Sequence, residues 1–202
     1  MMASALHLAL HGVAIKKHAA PDAVAALVGL PPARTAELLA QAATSGRLVE
    51  TGGKYMLTPL ARVALDYAYS DVHAELRENA AFIAAYEAFE KINLDLKALI
   101  TDWQTIEVGG VRVANDHSNK DLDEKLIDRL GKLHERADAI FAKLAAGLPR
   151  LGYYRTHLLA ALEKAEDGAI EWVSDARIES YHTLWFELHE DLLRIVGRTR
   201  EE

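Results

Sequence analysis

Residues 21–60, PDAVAALVGLPPARTAELLAQAATSGRLVETGGKYMLTPL, are so heavily punctuated by proline and glycine that few folds suit them. Val24, Leu27 and Val28 recur at three- and four-residue spacing, which predicts a short helix with one apolar face. Gly29 ends it where a left-handed backbone is cheap. A proline in the first turn of a helix forfeits no hydrogen bond, so Pro31-Pro32 predicts a second helix from about Pro32 to Thr44. Its buried face is Leu38, Leu39, Ala42 and Ala43, and Ser45-Gly46 closes it. Leu48-Val49 and residues 55–57 read as short strands about Gly52-Gly53, a pair suited to a tight hairpin turn.

Two helices, a turn and a glycine-tipped hairpin, in that order, form the core of a winged helix-turn-helix. The pattern A-x-x-x-G, five residues, LL-x-x-A, glycine, apolar pair, wing and LTPLA resembles the winged-helix regulators of the MarR and PadR type over roughly the first 70 residues. That resemblance implies a recognition helix at residues 32–44, with Arg34, Thr35, Glu37 and Gln41 pointing outward to double-stranded DNA. Lys54 would sit at the wing, and Arg47 adds charge beside it. The alternative is a winged helix that docks protein, because DNA affinity rests largely on phosphate neutralisation and this helix carries one arginine and one glutamate.

Charge is distributed unevenly. Within residues 1–69, Lys16, Lys17, Arg34, Arg47, Lys54 and Arg62 outnumber Asp22, Glu37, Glu50 and Asp66 by two, whereas the whole chain of 202 residues carries a net −7. The basic end is therefore the one that carries the helix-turn-helix pattern. Half of the residues are apolar, enough for a real core, and the division expected is a winged helix over residues 1–69 and a helical domain over 70–202. The chain has no cysteine, which removes disulfides and thiolate sites and agrees with a reducing cytoplasm. No apolar run approaches the ~20 residues of a membrane span, so no membrane partner is expected.

Residues 4–18 predict a first helix with Leu6, Leu10 and Val13 inward. His7, His11 and His18 fall near one face, expected to be a solvated surface and not a metal site, since no carboxylate lies between them. After the hairpin, Thr58-Pro59 starts a helix expected to turn Leu60, Val63, Ala64 and Tyr67 toward the core. Ser70 reads as the N-cap of a long helix over 70–103, whose length, ~50 Å at 1.5 Å per residue, calls for a partner helix or a second subunit in a homodimer. Ile106-Glu107-Val108 and Val111-Arg112-Val113 flank Gly109-Gly110 as a small hairpin insertion. Helices are expected over 119–146, capped by Ser118, and over 150–164.

The last helix, expected over 175–196, places His182 and His189 within the apolar arc of Trp185, Leu188, Leu192 and Ile195. Imidazoles on a buried face need partners. One reading is a small-molecule effector pocket bounded by Trp103, Tyr154, His157, His182, Trp185 and His189, with Glu179, His182 and His189 as candidate ligands for a divalent metal; the other is a buried hydrogen-bond network. A winged helix followed by an all-helical domain is similar to the GntR regulators with a helical effector domain, which lack counterparts here to a full ligand set. The segment SYHTLWFELHEDLL resembles accessory regions of phosphoenolpyruvate-utilising dikinase-type proteins, which implies a non-catalytic adaptor or accessory subunit. No P-loop, dinucleotide fingerprint, nucleophile elbow or HExxH motif occurs, so no enzyme and no cofactor beyond that metal are expected. The expectation is a mainly α, one-component transcriptional regulator.

Overall fold

The computed structural model describes residues 3–199, and among these it contains ten α-helices and two antiparallel hairpins. They run α1 (Ala5–Lys16), α2 (Pro21–Val28), α3 (Pro32–Thr44), β1 (Leu48–Thr51), β2 (Lys54–Leu57), α4 (Pro59–Val72), α5 (Ala74–Glu78) and α6 (Ala80–Gln104). Then follow β3 (Thr105–Val108), β4 (Val111–Ala114), α7 (Lys120–Gly147), a 3-10 turn at Pro149–Leu151, α8 (Gly152–Glu166), α9 (Glu171–Ser174) and α10 (Tyr181–Val196). No single helix among the described residues is long and apolar enough to cross a membrane. The chain divides into two compact units. The first runs to Ile83 and takes up the chain again from His189; the second is Ala84–Leu188. The later half of α10 therefore belongs with the first unit, which differs from a division at residue 69.

In the first unit, Ser4 caps α1 by accepting from the His7 amide at 3.1 Å, and Gly12 lets α1 approach Val24 and Val28 of α2. Gly29 ends α2 at φ 69°. The α3 bounds match the expectation. Gly52 and Gly53 turn the first hairpin at φ 60° and 77°, pairing Thr51 with Lys54 and Leu48 with Leu57. Two backbone bonds, Ala19 N to Tyr55 O (3.2 Å) and Tyr55 N to Ala19 O (2.8 Å), add the α1–α2 connection to that hairpin.

Helix α4 corrects the sequence reading. Leu60, Val63 and Tyr67 are 80%, 67% and 80% exposed, and the row Ala61, Leu65, Tyr69 faces in. Both rows are apolar at helical spacing and one helix can bury only one of them. The inner row wins because the Tyr69 hydroxyl meets His11 Nδ1 at 2.8 Å. His11 itself is buried, contrary to the solvated histidine face expected for α1. The long helix over 70–103 is also broken. Ser70 lies inside α4, with its hydroxyl donating to the Tyr67 carbonyl, and the chain restarts at Asn79, whose Oδ1 accepts from the Ala81 and Phe82 amides. Arg77 donates from Nε to the Ile195 carbonyl (2.8 Å) and from Nη2 to the Arg194 carbonyl, satisfying the open end of α10.

In the second unit, α6 presents Tyr86, Phe89, Leu96, Leu99 and Trp103 to the core. Trp185 of α10 stacks on Phe89 at a ring separation of 5.0 Å and donates its indole N–H to Asn93 Oδ1 at 3.0 Å. Asn119, not Ser118, caps α7, accepting from the Leu122 amide. Helix α10 starts at Tyr181 and not at 175, because the Asp175 carboxylate accepts from the Arg177 amide in a local turn and Ser180 provides the cap to Thr183. The β3–β4 hairpin turns on Gly109-Gly110 as expected and leaves Val108, Val111 and Val113 exposed.

Candidate functional site

The outer face of α3 is set by its inner one. Leu38, Leu39 and Ala42 are buried, which turns Arg34, Glu37 and Gln41 to solvent. Thr35 does not join them. It is fully buried, on the same row as Leu38, Leu39 and Ala42, with its hydroxyl donating to the Pro31 carbonyl at 3.1 Å, which corrects the outward placement. Arg34 Nη1 lies 3.0 Å from Glu37 Oε2; both groups are half exposed or more, so the pair contributes at most ~1 kcal/mol and opens cheaply. Lys54 stands exposed at the hairpin tip, where Glu50 Oε1 accepts from the Gly53 amide. Arg47 lines a different surface, a groove with Leu6, His7, Leu10, Leu60 and Ala64.

Of the residues expected to bound a pocket at α10, several are held in packing. Tyr154 and Trp185 are sealed within the second unit, and Trp103 is 3% exposed. His157 donates from Nδ1 to the Tyr153 carbonyl (2.8 Å) and stacks on the Tyr153 ring, while Glu179 accepts from the Tyr153 hydroxyl. Burial lowers the pKa of the His182 imidazole from its ordinary value. His189 is buried and is assigned to the first unit, the other five to the second. Among the described residues no group of three or more His, Asp or Glu side chains is placed to hold a metal ion, Glu179, His182 and His189 included.

A cleft of about 670 Å³ opens elsewhere in the second unit, lined by residues of α7, the end of α8 and the α8–α9 connection together with His117. His117 takes φ 58°, a left-handed conformation uncommon for a residue with a Cβ, which points its Nδ1 at Asp123 Oδ1, 3.0 Å away. Asp123 is buried, and Asn115 Nδ2 donates to it and to the Trp103 carbonyl. The Trp103 ring lies 4.5 Å from the imidazole. With one ring nitrogen held by a buried carboxylate, the other is left to hydrogen-bond a molecule in the cleft. Lys120, Glu124, Asp128 and Glu166 line the same space, so its walls are net acidic. The sequence reading passed over this arrangement; its signal was the polar run Asn115-Asp116-His117-Ser118 between a hairpin and a helix.

Compared with protein-family models, with curated proteins and with solved structures, the chain finds no match.

Proposed function

We propose that the chain is a DNA-binding transcriptional regulator whose first unit acts as a winged helix-turn-helix, with α3 as recognition helix and the β1–β2 hairpin as wing. The observation that supports this reading is the joining of the α1–α2 connection to the hairpin through Ala19 and Tyr55, together with the Arg47 amide donating to the Ala42 carbonyl at the end of α3, while Arg34, Gln41 and Lys54 stay exposed. A helix held this way can enter a major groove with the wing against phosphates. The His117 cleft is the place we assign to an effector, in preference to the buried aromatic cluster of α10.

The test is fluorescence anisotropy with duplexes from the gene's own upstream region at several salt concentrations. The expected result is an affinity that falls with salt and is weakened by replacing Arg34 and Lys54 with alanine. A salt-independent or absent affinity for every duplex overturns it. A second reading, a non-catalytic adaptor, draws on the Arg34–Glu37 pair, which leaves the outer face of α3 close to neutral. It predicts instead an unchanged partner enzyme complex in the Arg34→Ala and Lys54→Ala variants.

A further inference from the structure

The outer face of α4 is an apolar stripe with no cover among the described residues. Leu60, Val63, Ala64 and Tyr67 follow one another at i, i+3, i+4 and i+7, and the three large side chains are exposed. Contiguous apolar surface of this kind on a folded chain marks an interaction site. Beside it runs a groove of about 450 Å³, whose walls include Leu6, Leu10, Ala61 and Ala68, and which shares Leu60 and Ala64 with the stripe. A ridge and a hollow on one surface are the ingredients of a self-complementary contact, in which each copy fills the other.

Charge decides the occupant. Asp71 is exposed in the last turn of α4, where the helix dipole disfavours a carboxylate, and it has no ion-pair partner among the described residues. Arg47, likewise without an ion-pair partner, sits at the opposite end of α4, its carbonyl accepting from the Thr58 amide at 3.0 Å. Leu60 to Asp71 spans ~16 Å at 1.5 Å per residue. An antiparallel pairing of two α4 helices about an axis between Val63 and Ala64 sets Tyr67 of each copy on Leu60 of the other. The same pairing carries Asp71 of each copy past the partner's Pro59 toward Arg47, so both charges find partners twice over. We infer that the α4 stripe and its groove form a two-fold interface between two copies of this chain, closed at each end by an Arg47–Asp71 pair. The inference does not depend on DNA binding and is tested on the protein alone.

Sedimentation equilibrium of the full chain at tens of micromolar should give twice the 22.2 kDa of one chain. Tyr67→Glu should weaken association about 100-fold or more with an unchanged circular dichroism spectrum, since the side chain is exposed in the single copy. Asp71→Arg should weaken it about tenfold, and adding Arg47→Asp should restore it. The chain has no cysteine, so Ala64→Cys should cross-link two copies on oxidation while Lys97→Cys, on exposed α6 surface, should not. A wild-type mass of one chain, which leaves the stripe to a different partner, overturns the inference. So does a dimer that survives Tyr67→Glu and is not trapped through Ala64→Cys.

Discussion

His11 Nε2 lies 3.2 Å from Asp191 Oδ1 with both side chains sealed from solvent, and the other nitrogen of the same ring lies 2.8 Å from the Tyr69 hydroxyl. The imidazole thus links α1, α4 and the later half of α10 at one point. Replacing Asp191 by alanine takes away the carboxylate and leaves the ring facing a void that water does not reach. The expected loss is about 3–5 kcal/mol, read as a lower urea midpoint, and Asp191→Asn should lose less.

Stability should fall with acid below neutrality. Burial lowers the pKa of His134, against the opposing charge of Asp138, and burial lowers that of His182 as well. The unfolded imidazoles bind protons at about 6.5, before the folded ones do. Their contribution is therefore full above that pH and is lost as the pH falls through the folded values. Thermal melts should be flat from pH 8 to 7 and decline below about 6.5. His134→Gln, which keeps a partner for the Tyr181 hydroxyl now 3.1 Å away, should make the decline shallower.

Two helical glycines should respond to alanine in opposite senses. At Gly12 a Cβ would stand 2.7 Å from Val24 Cγ1 and 3.1 Å from Val28 Cγ1, both branches of stiff side chains in α2. Overpacking there should cost about 1–3 kcal/mol. At Gly131, inside α7, the only near atom among the described residues is Glu166 Oε1 at 3.1 Å, the end of a flexible chain. Gly131→Ala should therefore gain up to about 1 kcal/mol from helix propensity, and paired denaturation curves measure both.

Releasing Arg34 should strengthen any DNA complex made through α3. Glu37→Gln removes the carboxylate now 3.0 Å from the guanidinium and one negative charge that faces the same way. Affinity for duplex DNA should rise severalfold, and the slope of log affinity against log salt should steepen by about one for one added phosphate contact. An unchanged slope in titrations from low to high salt would remove α3 from the interface.

Elements defined by neighbouring residues were legible in advance. Gly29, Pro32 and the two Gly-Gly turns mark their boundaries through backbone conformation alone, and α2, α3 and both hairpins follow them. Positions defined by distant partners were not. On α4 two apolar rows competed, and the winner was chosen by His11, which no local pattern announces. Thr35 looked polar enough for the surface, yet its hydroxyl is satisfied by the carbonyl one turn back and the side chain is buried like Leu38 and Leu39. The break before Asn79 interrupts an apolar period that continues on both sides of it. The cleft escaped because it depends on a left-handed His117 bringing its ring against Asp123.

The discontinuity of the first unit has a meaning in time. Residues up to Ile83 leave the ribosome well before Asp191, Arg194 and Ile195 exist, and at about 5–20 residues per second the wait is on the order of 5 to 20 seconds. During that interval His11 lacks its carboxylate and Arg77 has no helix end to grip. The helices translated first are therefore completed last, after the whole of the second unit has been made. A nascent or interrupted chain that stops short of residue 191 carries the helices of the first unit without the carboxylate that meets His11 or the helix end that Arg77 holds.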